Sequence, residues 1–215
     1  MCGQFRKIDR MKRYFITGIG TEVGKTIASA IVTQALKADY WKPIQAGELD
    51  NSDRMKVETL IDNEESKIHP EAYRLHHPMS PHAAAERDGV KIDISSIITP
   101  NTNNHLVIEG AGGLLVPLND KDTILNLIGT LNCEVILVSR HYLGSINHTL
   151  MSIEILKRRN IPVKGILFNG KENKDTESII KKMSGIEVLG RIDELDDLNK
   201  SVINSIAQDL KNNLI

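Results

Sequence analysis

The stretch Gly18-Ile-Gly-Thr-Glu-Val-Gly-Lys-Thr26 decides the fold of this 215-residue chain. A β-favouring run, Arg13–Thr17, precedes it, and apolar residues at helical spacing follow over Lys25–Lys37. A strand, a glycine-rich loop and a helix in this order place backbone N–H groups and a helix N-terminus around phosphate. Lysine and threonine at the end of the loop supply a cation for the outer phosphates and a hydroxyl for Mg²⁺. Five residues separate Gly18 from Gly24 where the usual phosphate-binding loop (P-loop) has four. We therefore predict mononucleotide binding by a variant P-loop.

The rest of the chain alternates predicted strands and helices. Predicted strands are Arg13–Thr17, Asp39–Pro43, Leu106–Ile108, Glu134–Ser139, Val163–Phe168 and Glu187–Ile192. Predicted helices are Lys25–Lys37, Ser52–Ile61 with Ser52 as N-cap, Ser145–Arg159, Asp175–Met183 and Asn199–Leu214. This alternation predicts a single α/β domain over residues 11–215, a P-loop NTPase-like fold with a mostly parallel sheet and helices on both faces. Its ligand site belongs at the carboxyl ends of the strands.

Two segments fall outside the alternating pattern. His69–Gly89 contains three prolines and is predicted to be a long loop around at most short helices. Residues 1–10 are polar and mixed, and we predict a disordered leader or an alternative start.

Composition limits the class of protein. Hydrophobic residues make up 40% and charged residues 26%, a balance typical of soluble globular domains. A net charge of −1 excludes a global electrostatic attraction to nucleic acid or to a membrane surface. No apolar run approaches the ~20 residues that span a bilayer, and no signal peptide is visible. The two cysteines, Cys2 and Cys133, are far apart and lack metal-site spacing, so a reduced, cytoplasmic protein is expected. The seven histidines lack zinc-site context, so we expect no histidine metal site.

Two further clusters place chemical groups at predicted strand ends. Glu109-Gly-Ala-Gly-Gly113 directly follows a buried strand, where a carboxylate beside a P-loop is suited to binding Mg²⁺. Lys42-Pro43 ends the second strand, and a lysine there is suited to neutralising a transferring phosphoryl group. Asp53 follows as a third oxygen donor beside Thr26 and Glu109. The residues alone leave other interpretations open: Lys42 as a solvated strand end, and Asp53 as a helix cap.

Taken together, these motifs resemble the dethiobiotin synthetase family. The match runs in order from Met11 to about Ile192, and the string Thr-Glu-Val-Gly-Lys-Thr is its most specific part. The markers are Tyr14-Phe-Ile-Thr-Gly18, Thr21-Glu-Val-Gly-Lys-Thr26, Lys42-Pro43, Asn51-Ser-Asp53, Ser80-Pro-His82, Glu109-Gly-Ala-Gly-Gly113, Gly144-Ser-Ile-Asn-His148 and Asn169.

The resemblance implies an ATP- and Mg²⁺-dependent ligase of biotin synthesis. Such an enzyme closes a cyclic urea on 7,8-diaminopelargonic acid with CO₂, through a carbamate that takes the γ-phosphoryl group. By resemblance, Lys25 and Lys42 are catalytic residues that bracket the phosphate charge, and Thr26, Asp53 and Glu109 hold Mg²⁺. Implied nucleotide contacts are Gly20, Thr21, Glu22, Val23, Gly24, Lys25 and Thr26, together with Asp53, Glu109 and an adenine-recognising Asn169.

The resemblance also implies a homodimer whose active sites lie at the subunit interface. Implied substrate contacts are Thr21, Lys42, Ala46 and Gly112, together with Gly144, Ser145, Ile146 and Asn147 from the neighbouring subunit, where a helix N-terminus receives the substrate carboxylate. Helix capping remains the alternative role for Ser145 and Asn147. The chain departs from the family at three places. Ala46 stands where the family usually has serine or threonine, Leu114 stands where some members have tryptophan, and residues 190–193 lack the proline that the family often has there.

Three rival interpretations remain at this point. An amidotransferase-type synthetase of the cobyrinic acid family shares these motifs but normally carries a long glutaminase domain, for which 215 residues leave no room. A partitioning-type switch ATPase usually has a lysine early in its P-loop, where this chain has Ile19 and Gly20. A catalytically silent nucleotide-binding module would not be expected to keep both lysines and all three oxygen donors.

Overall fold

The computed structural model describes residues 11–195 and 197–215, so the predicted leader over residues 1–10 lies outside the described residues. Nine strands are described: β1 Arg13–Gly18, β2 Asp39–Trp41, β3 Ile44–Ala46, β4 Ile68–His69, β5 Tyr73–Leu75, β6 Leu106–Gly113, β7 Glu134–Arg140, β8 Val163–Asn169 and β9 Val188–Ile192. Seven α-helices are described: α1 Lys25–Leu36, α2 Asp53–Leu60, α3 Pro81–Arg87, α4 Ile124–Leu131, α5 Ser145–Arg158, α6 Lys174–Ser184 and α7 Lys200–Leu214.

Seven strands form one parallel sheet in the order β4-β2-β6-β1-β7-β8-β9. Strand β1 is central, and its Phe15 pairs with Ile108 on one side and Val135 on the other. Strands β3 and β5 form a separate parallel pair. Because the chain order reverses at β1, the loop after this strand opens at a topological switch point, which is where such sheets bind ligands.

Helices cover both faces of the sheet. On one face Ile16 packs in a cluster with residues of α1 and α7, including Ile31 and Leu210. On the other face Phe15 packs with residues of α4 and with Leu156 of α5. Successive side chains of a strand point to opposite faces of the sheet, so the neighbours Phe15 and Ile16 of β1 lie in different clusters. The predicted α/β class with a parallel sheet is confirmed.

Several predicted boundaries were wrong for identifiable reasons. The second strand ends at Trp41 rather than Pro43, since Pro43 has no backbone N–H for a sheet ladder. The strand predicted at Leu106–Ile108 continues to Gly113, because Gly113 pairs with Gly18. The short helix α4 was missed; a reciprocal capping box between Thr123 and Asn126 begins it.

The region predicted as a loop contains ordered structure. Within His69–Gly89 lie β5 and the seven-residue helix α3, which begins at Pro81. Ser52 does occupy the N-cap position of α2, but its side chain makes no capping hydrogen bond. Instead, the backbone N–H of Asp53 donates to Gln45 Oε1 at 3.4 Å. Within the described part of the chain, we find no helix that is both long enough and apolar enough to cross a bilayer.

Candidate active site

A cleft of about 920 Å³ lies at the carboxyl ends of β1, β2 and β6. Ten of the residues predicted for the site line it: Thr21, Glu22, Gly24, Lys25, Thr26, Lys42, Ala46, Asp53, Glu109 and Gly112. Segments separated by up to 91 positions therefore converge on one cleft. The sequence predicted that the residues for phosphate, Mg²⁺ and substrate binding would share one site at the carboxyl ends of the strands, and these ten residues do lie together there.

The P-loop is held by its own backbone and by β8. Glu22 and Gly24 adopt left-handed φ values of 55° and 92°. A Cβ on Gly24 would lie 2.3 Å from Asn169 Nδ2, so only glycine fits here. Asn169 in turn donates from Nδ2 to the backbone carbonyl of Val23 at 2.8 Å. The residue expected to recognise adenine thus also supports the phosphate loop.

Lys25 lies inside the P-loop. Its Nζ donates to the backbone carbonyl of Gly20 at 2.9 Å, and the residue is only 8% exposed. Burial lowers the pKa of Lys25 to about 8, with the nearby charge of Lys42 acting in the same direction and Glu109 opposing both. A buried ammonium group in a phosphate-binding loop favours the binding of an anion, such as a nucleotide phosphate, beside it.

Lys42 lies between two carboxylates. Its Nζ donates to Glu109 Oε1 at 3.0 Å and also makes a short contact with Asp53 Oδ2. Burial alone would lower the pKa of Lys42, but the charges of Glu109 and Asp53 outweigh it and raise the pKa above its usual value. The solvated strand end is therefore wrong as an interpretation of Lys42, which is 5% exposed and charged.

Glu109 connects the loop, the second lysine and the sheet. Its carboxylate, on a residue 1% exposed, accepts from Thr26 Oγ1 at 3.0 Å and from Lys42 on Oε1. Its other oxygen, Oε2, accepts from the hydroxyl of Tyr40 at 2.8 Å. Sequence reasoning missed Tyr40. The available signal was strand alternation, because Tyr40 precedes Lys42 by two positions and so points to the same side of the chain.

Asp53 begins α2 at the rim of the cleft. Burial alone would raise the pKa of Asp53, but Lys42 and then Lys56 lower it further than burial raises it. Asp53, Glu109 and Thr26 present two carboxyl groups and one hydroxyl, the hard oxygen donors that Mg²⁺ prefers. In the described segments, no group of three or more His, Cys, Asp or Glu side chains is arranged to hold a metal ion. Any ion at this site would also need oxygens from a ligand or water.

The expected carboxylate-binding segment lies apart from this cleft. Gly144 is the N-cap of α5, with a φ of 105°, and no side chain caps this helix, so capping by Ser145 or Asn147 is wrong. Ser145 is buried, whereas Leu143 is fully exposed and Ile146 is 36% exposed. Within one protomer the structure does not bring residues 144–147 to the P-loop. Their contribution from a neighbouring subunit stays a prediction.

A parallel sheet with a glycine-rich loop at its switch point and two buried lysines beside that loop defines a P-loop nucleotide-binding protein. Residues 12–202 match the family model described as an AAA domain. The ATP-dependent dethiobiotin synthetase BioD of Christiangramia forsetii is 57% identical over 94% of this chain and 98% of its own length. The same-named protein of Cytophaga hutchinsonii is 53% identical over 94% of this chain and 98% of its own length. The same-named protein of Paramagnetospirillum magneticum is 42% identical over 90% of this chain and 93% of its own length. The chain belongs to the dethiobiotin synthetase family, as its motifs predicted.

Solved structures with the same fold are more distant. The septum site-determining protein MinD of Pyrococcus horikoshii, described in complex with Mg-ADP, gives a TM-score of 0.59 at 13% identity, over 94% of this chain and 96% of that one. A ParA family ATPase of Chlorobium tepidum gives 0.55 at 14% identity, over 95% of each chain. At this identity the likeness shows a shared fold alone. The shared fold therefore does not favour the switch-ATPase interpretation, whereas the family supports the synthetase interpretation.

Proposed function

We propose that this chain uses ATP to close the cyclic urea of dethiobiotin from 7,8-diaminopelargonic acid and CO₂. The observation that carries the proposal is the second buried ammonium group, Lys42, which is close enough to Lys25 to lower its pKa. A nucleotide-binding module needs one lysine for its phosphates. Two buried cations facing one cleft suit a reaction in which a second anion, the carbamate, meets the γ-phosphate.

The reaction proceeds in three balanced steps. One amine of the substrate captures CO₂ and loses a proton to give a carbamate. A carbamate oxygen attacks the γ-phosphorus, forming a carbamic–phosphoric anhydride as ADP leaves. The second amine attacks the carbamoyl carbon and loses a proton, closing the ring as phosphate leaves. Lys25 and Lys42 lower the repulsion between the carbamate and the γ-phosphate, and the cleft aligns them, which is the main demand of phosphoryl transfer.

The nucleotide contacts follow the P-loop. Backbone N–H groups from Gly20 to Thr26 surround the phosphates, in the manner of a helix N-terminus that binds an anion. Asn169, at the end of β8 and bonded to Val23, is proposed to recognise the base. Thr21, Ala46 and Gly112 line the part of the cleft beside Lys42 and are proposed to contact the diamine.

We assign Mg²⁺ to Thr26, Asp53 and Glu109, because their donor atoms suit this ion. When bound, the ion supplies positive charge to the β- and γ-phosphate oxygens. Both carboxylates contact Lys42, and Glu109 Oε1 also accepts from Thr26 of the P-loop. Lys56 binds the outer oxygen of Asp53 at 3.3 Å and further restricts this carboxylate.

A homodimer with shared sites is part of the proposal. Exposed apolar side chains, Tyr142, Leu143 and Ile146, surround the start of α5. Such a patch beside a helix N-terminus without a side-chain cap suits an interface that delivers residues 144–147 to the partner's cleft. We also place the activity in the cytoplasm, where the buried free thiol of Cys133 would stay reduced.

The first test measures phosphate release with ATP, 7,8-diaminopelargonic acid, bicarbonate or Mg²⁺ omitted in turn. We expect release only when all four are present, and a loss of at least about 100-fold in Lys42→Ala. Lys200→Ala, an exposed lysine on α7 that pairs with Asp62 at 3.6 Å, is the matched control and should keep full activity. Release that does not depend on the diamine would refute the proposed reaction.

The shared site has its own test. Lys42→Ala alters the cleft of one protomer, whereas Asn147→Ala alters the segment proposed to enter the partner's cleft. If the sites are shared, mixing the two inactive variants should restore about a quarter of the activity, because one cleft of each mixed dimer is then intact. Mixtures without restored activity would refute the shared interface.

A further inference from the structure

Tyr40 is a buried residue that the proposed mechanism leaves without a role. It lies on β2, paired with Val107 of β6, which is two residues before Glu109. Its residue exposure is 0%, and it is not part of the cleft lining. Its hydroxyl nonetheless donates to Glu109 Oε2 at 2.8 Å. Tyr40 therefore reaches the active-site carboxylate from the core, on the same face of the sheet as Glu109, and lies outside the lining of the cleft.

The two oxygens of Glu109 have different partners. Oε1 accepts from Thr26 and Lys42, both of which line the cleft, while Oε2 accepts from Tyr40 in the core. We infer that Tyr40 is a positioning residue that holds Oε2 and thereby fixes Oε1 toward the phosphate and metal side of the cleft. This inference rests on the proposed assignment of Mg²⁺ to Glu109.

The physical reason lies in the freedom of a glutamate carboxylate. Rotation about the last side-chain bond is soft, with a broad distribution of angles, so packing alone does not fix which way the two oxygens point. A hydrogen bond from a rigid aromatic side chain removes that freedom. Without it, Oε2 would be buried and unpaired, which is unfavourable, and the carboxylate would rotate to share its remaining donors. A metal ligand held by an outer hydrogen bond binds its ion more tightly than an unsupported one.

Tyr40→Phe removes the hydroxyl and keeps the ring, so the core stays filled. We would measure ATP binding by calorimetry in EDTA and across a Mg²⁺ titration. The expected result is a half-saturating Mg²⁺ concentration raised about 10-fold, with ATP affinity in EDTA unchanged. Melting temperature reports separately on the loss of the buried hydrogen bond.

Two controls separate positioning from a general loss of structure. Tyr14→Phe alters a tyrosine on β1, on the other side of β6 from Tyr40, whose hydroxyl is directed to the carbonyl of Leu214. This variant should leave the Mg²⁺ requirement unchanged. In a Glu109→Gln background, adding Tyr40→Phe should produce no further change, because the residue acts through that carboxylate.

The outcomes are distinguishable. If Tyr40→Phe leaves the Mg²⁺ requirement unchanged, or weakens ATP binding equally with and without Mg²⁺, the inference is overturned and the proposed metal site stands. If the wild-type protein itself binds ATP equally well in EDTA and in Mg²⁺, the assignment of Mg²⁺ to Glu109 fails and takes the inference with it.

Discussion

Replacing the P-loop lysine should stabilise the nucleotide-free protein while removing its function. Lys25 keeps an ammonium group in a largely buried position, and burial lowers its pKa from 10.5 to about 8. The unfolded chain therefore holds this proton up to about pH 10.5, whereas the folded chain releases it near pH 8. Protonated Lys25 disfavours the folded state, and the full cost is present below pH 8 and disappears as the pH rises to 10.5.

The size of the effect follows from the two pKa values. Each pKa unit corresponds to about 1.4 kcal/mol, so charged Lys25 costs the fold about 3 kcal/mol at neutral pH. Lys25→Met keeps the length of the side chain and loses the hydrogen bond to Gly20, which is worth about 1 kcal/mol. We expect the variant to be about 2 kcal/mol more stable than wild type near pH 7.

Urea unfolding in EDTA without nucleotide, followed by circular dichroism at several pH values, checks this expectation. The advantage of Lys25→Met should shrink between pH 8 and pH 10.5, and the variant should no longer bind ATP. Lys200→Met, at an exposed position, should change stability by less than about 0.5 kcal/mol at every pH. A Lys25→Met protein that is no more stable than wild type at pH 7, or whose advantage is independent of pH, would refute the reasoning.

Three other predictions concern the P-loop, strand β2 and the substrate contact. Gly24→Ala should reduce ATP affinity at least about 10-fold and lower stability by about 1–3 kcal/mol. Residue 24 has a left-handed φ, and a Cβ there would collide with Asn169. Calorimetry measures the affinity, and urea unfolding measures the stability. Buried Asp39 accepts hydrogen bonds from the Lys67 N–H and from His69, and although burial alone would raise the pKa of Asp39, these and other hydrogen bonds lower it overall. Asp39→Asn should therefore lose stability at pH 7, and unfolding curves of the two proteins should converge as the pH falls below 3.8, where the wild-type carboxylate becomes protonated. Ala46→Ser restores the hydroxyl usual in the family and should lower the KM for the diamine about threefold in the phosphate-release assay, because one hydrogen bond is regained; an unchanged KM would mean that this position does not contact the substrate.

The parts of this molecule that the sequence predicted are those encoded locally. A P-loop lies within nine consecutive residues, and strands of a sheet covered on both faces are continuous apolar runs, so β1, β7 and β8 were predicted almost to the residue. The carboxyl ends of the predicted strands also put Glu109 and Lys42 at the ligand-binding edge of the sheet, but their direct hydrogen bond was not predicted. Boundaries were less accurate where pairing with a distant strand decides them. Thus β6 continues through its glycines because Gly113 pairs with Gly18 of β1.

Features that depend on side chains meeting in space were not readable from the sequence. Tyr40 looks like an ordinary strand residue until β2 is placed beside β6, and only then does its hydroxyl reach Glu109. The capping role expected of Ser52 passes to Gln45, which a separate short strand brings to the start of α2. Likewise, the link from Asn169 to the P-loop joins residues 146 positions apart.

That link between Asn169 and Val23 limits how the protein can change its choice of nucleotide. One amide side chain is bonded to the loop that grips the phosphates and is also proposed to meet the base. A substitution of Asn169 that favoured another base would at the same time remove the hydrogen bond to Val23 and loosen the P-loop. Affinity would then fall for every nucleotide. Evolution toward a different base, or engineering for one, would therefore have to start from neighbouring positions and leave Asn169 in place.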